Sequence, residues 1–409
     1  MNTIFDKTIY KSDYLFFIAL ILTGVISANS HEKMIIKTVV VFVTSVYFFC
    51  RYLLNKKNRL IIRVDWMFVV WLIIYSVMIF IYAYFFSWIS SFGPLVNLVF
   101  TVVSCVNIIL LFSIINFKMV FNFVMNSLSF ALILYICYLL LSFISMDVSD
   151  LYSTYRLGSS VDDNEVGIDN PNNIALNIIF LMMPFSYRFL YNNDKKDAIP
   201  FIISTVLIML TGSKKGMIGV FIYVIFFKLL RGSIKDVLYI FLIVGFLVGL
   251  VFQNDFLYNI IGQRLEGLLS LIGLVDSSTL SDTASSDELR GQMILLGMDM
   301  WTKHPILGSG LGYFETNSPM RLYSHNNFVE LLVTYGLVGM LIYYSFFLIM
   351  IKKVLRKIKL NFVEIKIVML YICMMLVFDF SSIRYDNTFN IELLLILSYF
   401  INNVKMIEQ

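Results

Sequence analysis

Charge is what this sequence has least of. Only 14% of its 409 residues are Asp, Glu, Lys or Arg, whereas soluble domains carry about 25%. With 59% hydrophobic residues and a mean hydropathy of +0.83, a soluble core cannot hide the apolar surface, so lipid must act as solvent. Six prolines and the lack of any low-complexity tract exclude a disordered chain. A net charge of +4, spread over scattered basic residues, excludes a nucleic-acid-binding surface. The four cysteines (Cys50, Cys105, Cys137 and Cys373) each sit in an apolar run, and no pair has metal-ligand spacing. A disulfide framework is therefore excluded, and they read as small buried apolar residues. There is no Walker motif. Gly308, Gly310 and Gly312 precede Tyr313-Phe314 rather than a strand-to-helix turn, so they are no nucleotide loop. No outer segment holds a compact Asp-x-Asp pair, so neither a bound metal nor a cofactor is indicated, and Asp162-Asp163 and Asp287-Glu288 read as solvated loop acids. Energy for any reaction must come from an activated substrate or an ion gradient.

What fills the chain instead is apolar runs. A helix needs about 20 such residues to cross the hydrocarbon core. Twelve runs come near that length, around 14–30, 34–54, 66–87, 94–116, 120–146, 173–191, 198–212, 216–231, 236–252, 327–351, 363–380 and 387–403. The predicted fold class is all-α: a polytopic integral membrane protein of about 12 transmembrane helices, with a long extracytoplasmic loop containing short helices. The first run follows Lys7 and Lys11 but ends in Asn29-Ser30-His31, not in a small-x-small cleavage site, so it is read as a retained helix. Runs 198–212 and 216–231 are parted only by Ser213-Lys214-Lys215. Two lysines at mid-membrane would be costly, which favours a hairpin with its tip at an interface. With both termini cytoplasmic, 21 of the 31 Lys and Arg residues fall on the cytoplasmic side, as the positive-inside rule requires. The expected organisation is transmembrane helices 1–9 in residues 1–252, with an outer loop at about 147–172. An extracytoplasmic loop follows at 253–325, and helices 10–12 occupy 326–409.

Two outer segments are too long to be turns. Residues 147–172 are acidic but contain Arg156. In the second, Phe256 to Val275 spaces Leu257, Ile260, Ile261, Leu265, Leu268 and Leu271 as an interfacial amphipathic helix would. Ser277 to Ser286 reads as a polar linker, Glu288 to Lys303 as a second helix ended by His304-Pro305, and Gly308 to Gly312 as a flexible turn.

Basic residues on the outer face oppose the orientation bias. Arg156, Lys214, Lys215, Arg264, Arg290, Arg321 and Arg384 all fall there and together suit a phosphate or pyrophosphate head group. The bland alternative is that each pairs with a loop carboxylate or snorkels to lipid phosphate. Of the three histidines, His31 reads as solvated in a short turn and His304 as part of a helix end. His325 stands where the chain passes from water into the span starting at Asn326, with Glu330 little more than a helical turn on. It is placed to act as a general base or phosphate partner, the alternative being an interfacial histidine with no role.

Three blocks now resemble one family. Thr211-Gly212-Ser213-Lys214-Lys215-Gly216 resembles the T-G-S-R-x-G hairpin of the O-antigen polymerase and ligase superfamily. His304-Pro305 through Gly308, Gly310 and Phe314 resembles its H-P-hydrophobic-G-x-G segment. His325-Asn326-Asn327-Phe328-Val329-Glu330, continuing to Gly336 and Gly339, resembles its H-N-x-x-L-E helix. The blocks occur in the family's order over about 45 residues. Arg156 and Gly167 also fit an R-x10-G pattern of some polymerase outer loops, with no second copy at Arg264, Arg290 or Arg321. The family arginine is Lys214 here, which keeps the charge and loses the two-pronged geometry.

The resemblance implies a glycosyltransferase of the bacterial cytoplasmic (inner) membrane, working on its outer face. Its donor would be a glycan on undecaprenyl pyrophosphate. Wzy-type polymerases join repeat units of O-antigen, capsule or exopolysaccharide; ligases pass finished glycan to lipid A core. Membrane lipid, a flippase and a chain-length regulator are the implied partners, and nucleic acid is not. Pyrophosphate is a good leaving group, so fixed cations suffice to receive its charge: Lys214, Arg264 and Arg290 first, Arg156 and Arg384 next. His325 is the candidate base and Glu330 its orienting partner, and a single displacement would invert the anomeric centre. A lipid-linked glycan flippase or transporter is the rival class. It should show charged or broken helices at mid-membrane, and the span interiors look nearly free of charge.

Overall fold

A computed structural model describes residues 9–26, 31–54, 65–88, 93–115, 117–144, 170–232, 282–319, 321–358 and 362–403, with a few single positions between 235 and 262. Apart from those single positions, the run at 236–252 and the amphipathic segment from Phe256 to Val275 lie outside the described residues, as do Arg156, Gly167 and Arg264. The chain divides into two compact units, Met1–Val124 with Leu289–Gln409, and Met125–Glu288.

In the first unit, α1 (Lys11–Val25), α2 (His31–Leu54), α3 (Trp66–Phe85), α4 (Gly93–Ile114) and the start of α5 (Phe117–Ile144) follow one another. His31 opens α2 rather than lying in a turn. Their ends are fixed by short-range polar chemistry. Asp13 accepts from the Tyr10 amide (2.9 Å) and the Tyr47 hydroxyl (2.8 Å) and lies 3.5 Å from Arg51. Asp65 caps α3 by accepting from the Met67 amide and pairs with Lys353 Nζ at 2.7 Å. After 289 come the rest of α9 (Asp282–Lys303), α10 (Tyr313–Asn317), α11 (Asn327–Lys357), α12 (Val363–Asp379) and α13 (Thr388–Asn403). Helix α9 begins six residues before the expected Glu288, so the second half of the Ser/Thr linker is helical.

The second unit holds α6 (Pro171–Leu181), α7 (Ala198–Leu210) and α8 (Lys214–Leu230). Asn170 caps α6 and Pro171 occupies its first position, where a missing N–H costs nothing. The helix then bends by 48° into residues 183–191. Pro184 lies just past the bend and cannot donate to the preceding turn. Arg188 ties the far end by bonding Asp197 (3.0 Å) and Ser129 (2.8 Å).

Among the described residues, five helices are long and apolar enough to cross a membrane: Lys33–Leu54, Trp66–Phe85, Gly93–Ile114, Met119–Leu141 and Asn327–Lys357. The bent pair makes six if it is one span. The chain is therefore a multi-pass helical membrane protein, and the structure does not support the count of twelve. Several runs read as spans form helices of only 13 to 17 residues: α1, α7, α8, α12 and α13. Two further expectations need correction. Only Cys105 is buried; Cys50, Cys137 and Cys373 face outward from their helices, where lipid rather than protein is the apolar neighbour. The spans are also not empty of charge, since Lys37 and Glu392 are both buried within helices of the first unit.

Candidate active site

The site is organised by a break in α11. Gly336 has φ +66° and ψ −165°, outside helical geometry. In an unbroken helix Asn327 and Tyr344, seventeen residues apart, would be separated by about 25 Å. Here Asn327 Nδ2 donates to the Tyr344 hydroxyl at 3.1 Å, and the Phe328 ring stacks on Tyr344 with centroids 4.8 Å apart. The chain must fold back at Gly336. Residues 327–335 form a short helix lying antiparallel against the first turns of the longer segment 337–357. Gly339, at the near end of this hairpin, lets Tyr335 pack where a Cβ would meet its Cβ at 2.1 Å.

Breaking a helix orphans its last carbonyls and first amides, and the segment 305–310 satisfies both sets. Ser309 and Gly310 amides donate to Val333 and Thr334 carbonyls (2.7 and 3.0 Å). The Pro305 and Ile306 carbonyls accept from Leu337 and Val338 amides (2.9 and 3.1 Å). The glycine stretch is thus a fixed plug, not the flexible turn expected. Its glycines are there for clearance: a Cβ on Gly308 would lie 2.5 Å from the Gly336 nitrogen, and one on Gly310 would lie 2.3 Å from the Phe86 carbonyl oxygen. The C-terminal end of α3 holds the plug from the other side. Trp88 donates its backbone amide to Leu311 (2.8 Å) and its indole N–H to Ser309 (2.9 Å), and the Tyr82 hydroxyl bonds the Leu307 carbonyl. Beyond the break, α3 and residues 337–357 run antiparallel. Tyr82 meets Tyr335, the Trp71 indole bonds the Ile342 carbonyl (2.8 Å), and Asp65 meets Lys353. Helix α9 covers the short helix through Met293, Met300, Val329 and Val333.

The turn that carries His325 lies at the open end of this hairpin, two residues before Asn327, whose side chain meets Tyr344 eight residues and about 12 Å of helical rise past Gly336. His325 occupies a left-handed turn (φ +55°), half-buried, with its ring 4.2 Å from that of Tyr323. Asn326 follows as the helix cap, accepting from Phe328 and Val329 amides and donating to the Phe380 carbonyl at 3.1 Å. Glu330, buried, accepts from the Ser324 amide at 3.1 Å and so braces the turn one residue before His325. Asn327 Oδ1 accepts from both Arg384 and Tyr385 amides (2.8 and 3.0 Å). Arg384, only 5% exposed, also bonds Asn390 through its guanidinium. Tyr344 donates to Asp379 Oδ2 at 2.9 Å.

Three predicted site residues, His325, Glu330 and Arg384, are therefore drawn to one polar turn. Arg290 lies on α9, partly exposed and three residues from the packed Met293. Lys214 belongs to the second unit. It opens α8, whose cap Ser213 accepts from the Gly216 amide and donates to Asn172 Oδ1 (3.0 Å). A Cβ on Gly216 would meet Ile208 and Ala175 at 2.5 and 2.9 Å, so that glycine sets how closely α8 packs on α6 and α7. Sequence reasoning missed Tyr344, Asp379 and Asn390. The one available signal was Asp379, an acid ending an apolar run five residues before Arg384. Among the described residues, no three His, Cys, Asp or Glu side chains group as a metal site would.

Residues 199–344 match a family model described as O-antigen ligase, about a third of the chain, running from α7 to Tyr344 itself. The match is consistent with the O-antigen polymerase and ligase superfamily and includes all three motif blocks. Members of that family are glycosyltransferase-like enzymes. A search of curated proteins found no match.

Proposed function

We propose that this protein polymerises undecaprenyl-pyrophosphate-linked oligosaccharide repeat units into surface polysaccharide on the outer face of the bacterial cytoplasmic membrane. This reading places both termini in the cytoplasm. The observation that carries it is the His325 turn: a histidine, two asparagines and a buried glutamate fixed inside the family-matched region, at the foot of a helical hairpin. A lipid-anchored pyrophosphate can be met at a turn on a membrane-spanning helix without leaving the bilayer. In the reaction the acceptor hydroxyl oxygen attacks the anomeric carbon of the donor. The bond from that carbon to the phosphate oxygen breaks, and pyrophosphate departs with the electron pair. The hydroxyl proton passes to a His325 imidazole nitrogen, and Glu330 holds the turn that presents it. Lys214, Arg264, Arg290, Arg156 and Arg384 are the cations proposed for the leaving group. One displacement inverts the anomeric configuration, and no metal takes part.

The family description favours a second reading, a ligase passing finished glycan to lipid A core. One experiment tests both. Purified protein is given synthetic lipid-linked repeat units, with and without lipid A core and with and without chelator, and products are resolved on a gel. A ladder without core supports polymerisation, and transfer only when core is present supports ligation. His325→Ala is expected to lower the rate by about 10²–10⁴ while His31→Ala leaves it unchanged. A normal ladder from His325→Ala removes the base, and a wild-type ladder lost to chelator restores a metal.

A further inference from the structure

Tyr344 does not belong to any of the motif blocks, yet it is the point at which the membrane-crossing part of α11 touches the His325 turn. Its hydroxyl accepts from Asn327 Nδ2 and donates to Asp379 Oδ2, and its ring lies flat on Phe328 at an interplanar angle of 12°. Asn327 is two residues from His325, fully buried, and has its other side-chain atom committed to the Arg384 and Tyr385 amides. The backbone that carries the imidazole is therefore held on one side by the loop after α12 and on the other by one phenolic oxygen. That oxygen is itself anchored to a carboxylate at the end of α12. His325 needs this support. A left-handed backbone at a non-glycine residue persists only where its surroundings impose it. Misplacing a proton acceptor by about 1 Å can cost about 10² in rate.

We propose that Tyr344 is a positioning residue, acting through Asn327 to hold the His325 imidazole in line with the acceptor hydroxyl. The inference rests on the base assignment above. Tyr344→Phe removes the hydroxyl and keeps the ring on Phe328. The expected result, in purified protein with synthetic lipid-linked repeat units, is a fall in kcat of about 10- to 100-fold. KM for the lipid-linked unit should not change, and the thermal midpoint should fall while the protein stays folded, because buried Asn327 and Asp379 each lose a partner. The discriminating measurement places Tyr344→Phe on the residual activity of His325→Ala. If Tyr344 works through the imidazole, it costs nothing further there, because the two act as one unit. Equal losses in both backgrounds would overturn the proposal, as would an unchanged kcat in the single variant. A Tyr344→Phe protein that fails to fold would also overturn it, because the hydroxyl would then serve the fold. A fully active His325→Ala would instead remove the base itself, an outcome visible before Tyr344 is touched.

Discussion

Replacing Gly336 with alanine tests the hairpin on which the site is built. A Cβ there would lie 2.3 Å from the Ile306 carbonyl oxygen, 2.4 Å from its carbon and 2.5 Å from the Gly308 nitrogen. All three are backbone atoms, so no side-chain rotation relieves the clash. The backbone conformation, at φ +66° and ψ −165°, belongs to a region open essentially to glycine alone, and forcing another residue into it costs about 1–3 kcal/mol. Relief requires the 305–310 plug to leave. That breaks the four hydrogen bonds capping the two helix ends, each contributing about 0.5–1.5 kcal/mol. Together the terms reach about 3–9 kcal/mol, comparable with the 5–15 kcal/mol that typically separates folded from unfolded chains. The assay is a distance. Spin labels on Phe328→Cys and Leu355→Cys, in a background lacking the four native cysteines, report whether the chain turns back. With the hairpin, position 328 lies beside Tyr344 and the labels are about 17 Å apart along the helix; without it they are about 40 Å apart. Gly336→Ala should lose the short distance or yield no monodisperse protein. A wild-type distance near 40 Å refutes the hairpin, and so does a Gly336→Ala protein with the short distance and unchanged thermal midpoint.

Two further outcomes follow. Arg264→Ala or Arg290→Ala should cut polymer yield at unchanged protein level, by an amount of order 2–4 kcal/mol in transition-state stabilisation, while Lys214→Arg should retain activity; normal polymer from both alanine variants would leave these arginines as surface ion pairs. Cysteines at 214 and 325 should react with an impermeant thiol reagent from outside and those at 56 and 353 should not, and outside labelling at 56 would reverse the orientation.

How much of this the sequence disclosed depended on the range of the interaction. The Lys214 hairpin was legible because Ser213 caps its own helix and Gly216 sits three residues on. The polar character of residues 324–330 was equally local, since Asn326 and Glu330 bond within the turn they define. The hairpin at Gly336 was not legible. Residues 331–351 carry no charge and are almost all apolar, and an apolar helix that doubles back has the same hydropathy as one that runs on. What breaks it comes from thirty residues upstream: the amides and carbonyls of 305–310, whose glycines read as looseness when they provide close approach. Tyr344, one tyrosine among 24 in the chain, carried no mark of its role, because its partners Asn327 and Asp379 are 17 and 35 residues away.

The broken helix bears on the choice between an enzyme and a transporter. Transporters use helix breaks to aim unsatisfied amides and carbonyls at a substrate or ion. On that ground alone, Gly336 and the buried Lys37 and Glu392 would count for transport. The hydrogen bonds at the break argue otherwise. Its carbonyls at Val333 and Thr334 and its amides at Leu337 and Val338 are all taken by the 305–310 backbone, so these backbone groups are not left for a passing solute. Irregular backbone at membrane depth is tolerated only where protein covers it or water reaches it. The break at Gly336 meets that condition by cover. The turn at its foot is different in kind, with His325 and Tyr323 half-buried rather than enclosed. The hairpin holds the histidine turn in place through Asn327 and Tyr344. A fixed turn of this kind fits the interfacial transferase proposed above better than an alternating-access cycle.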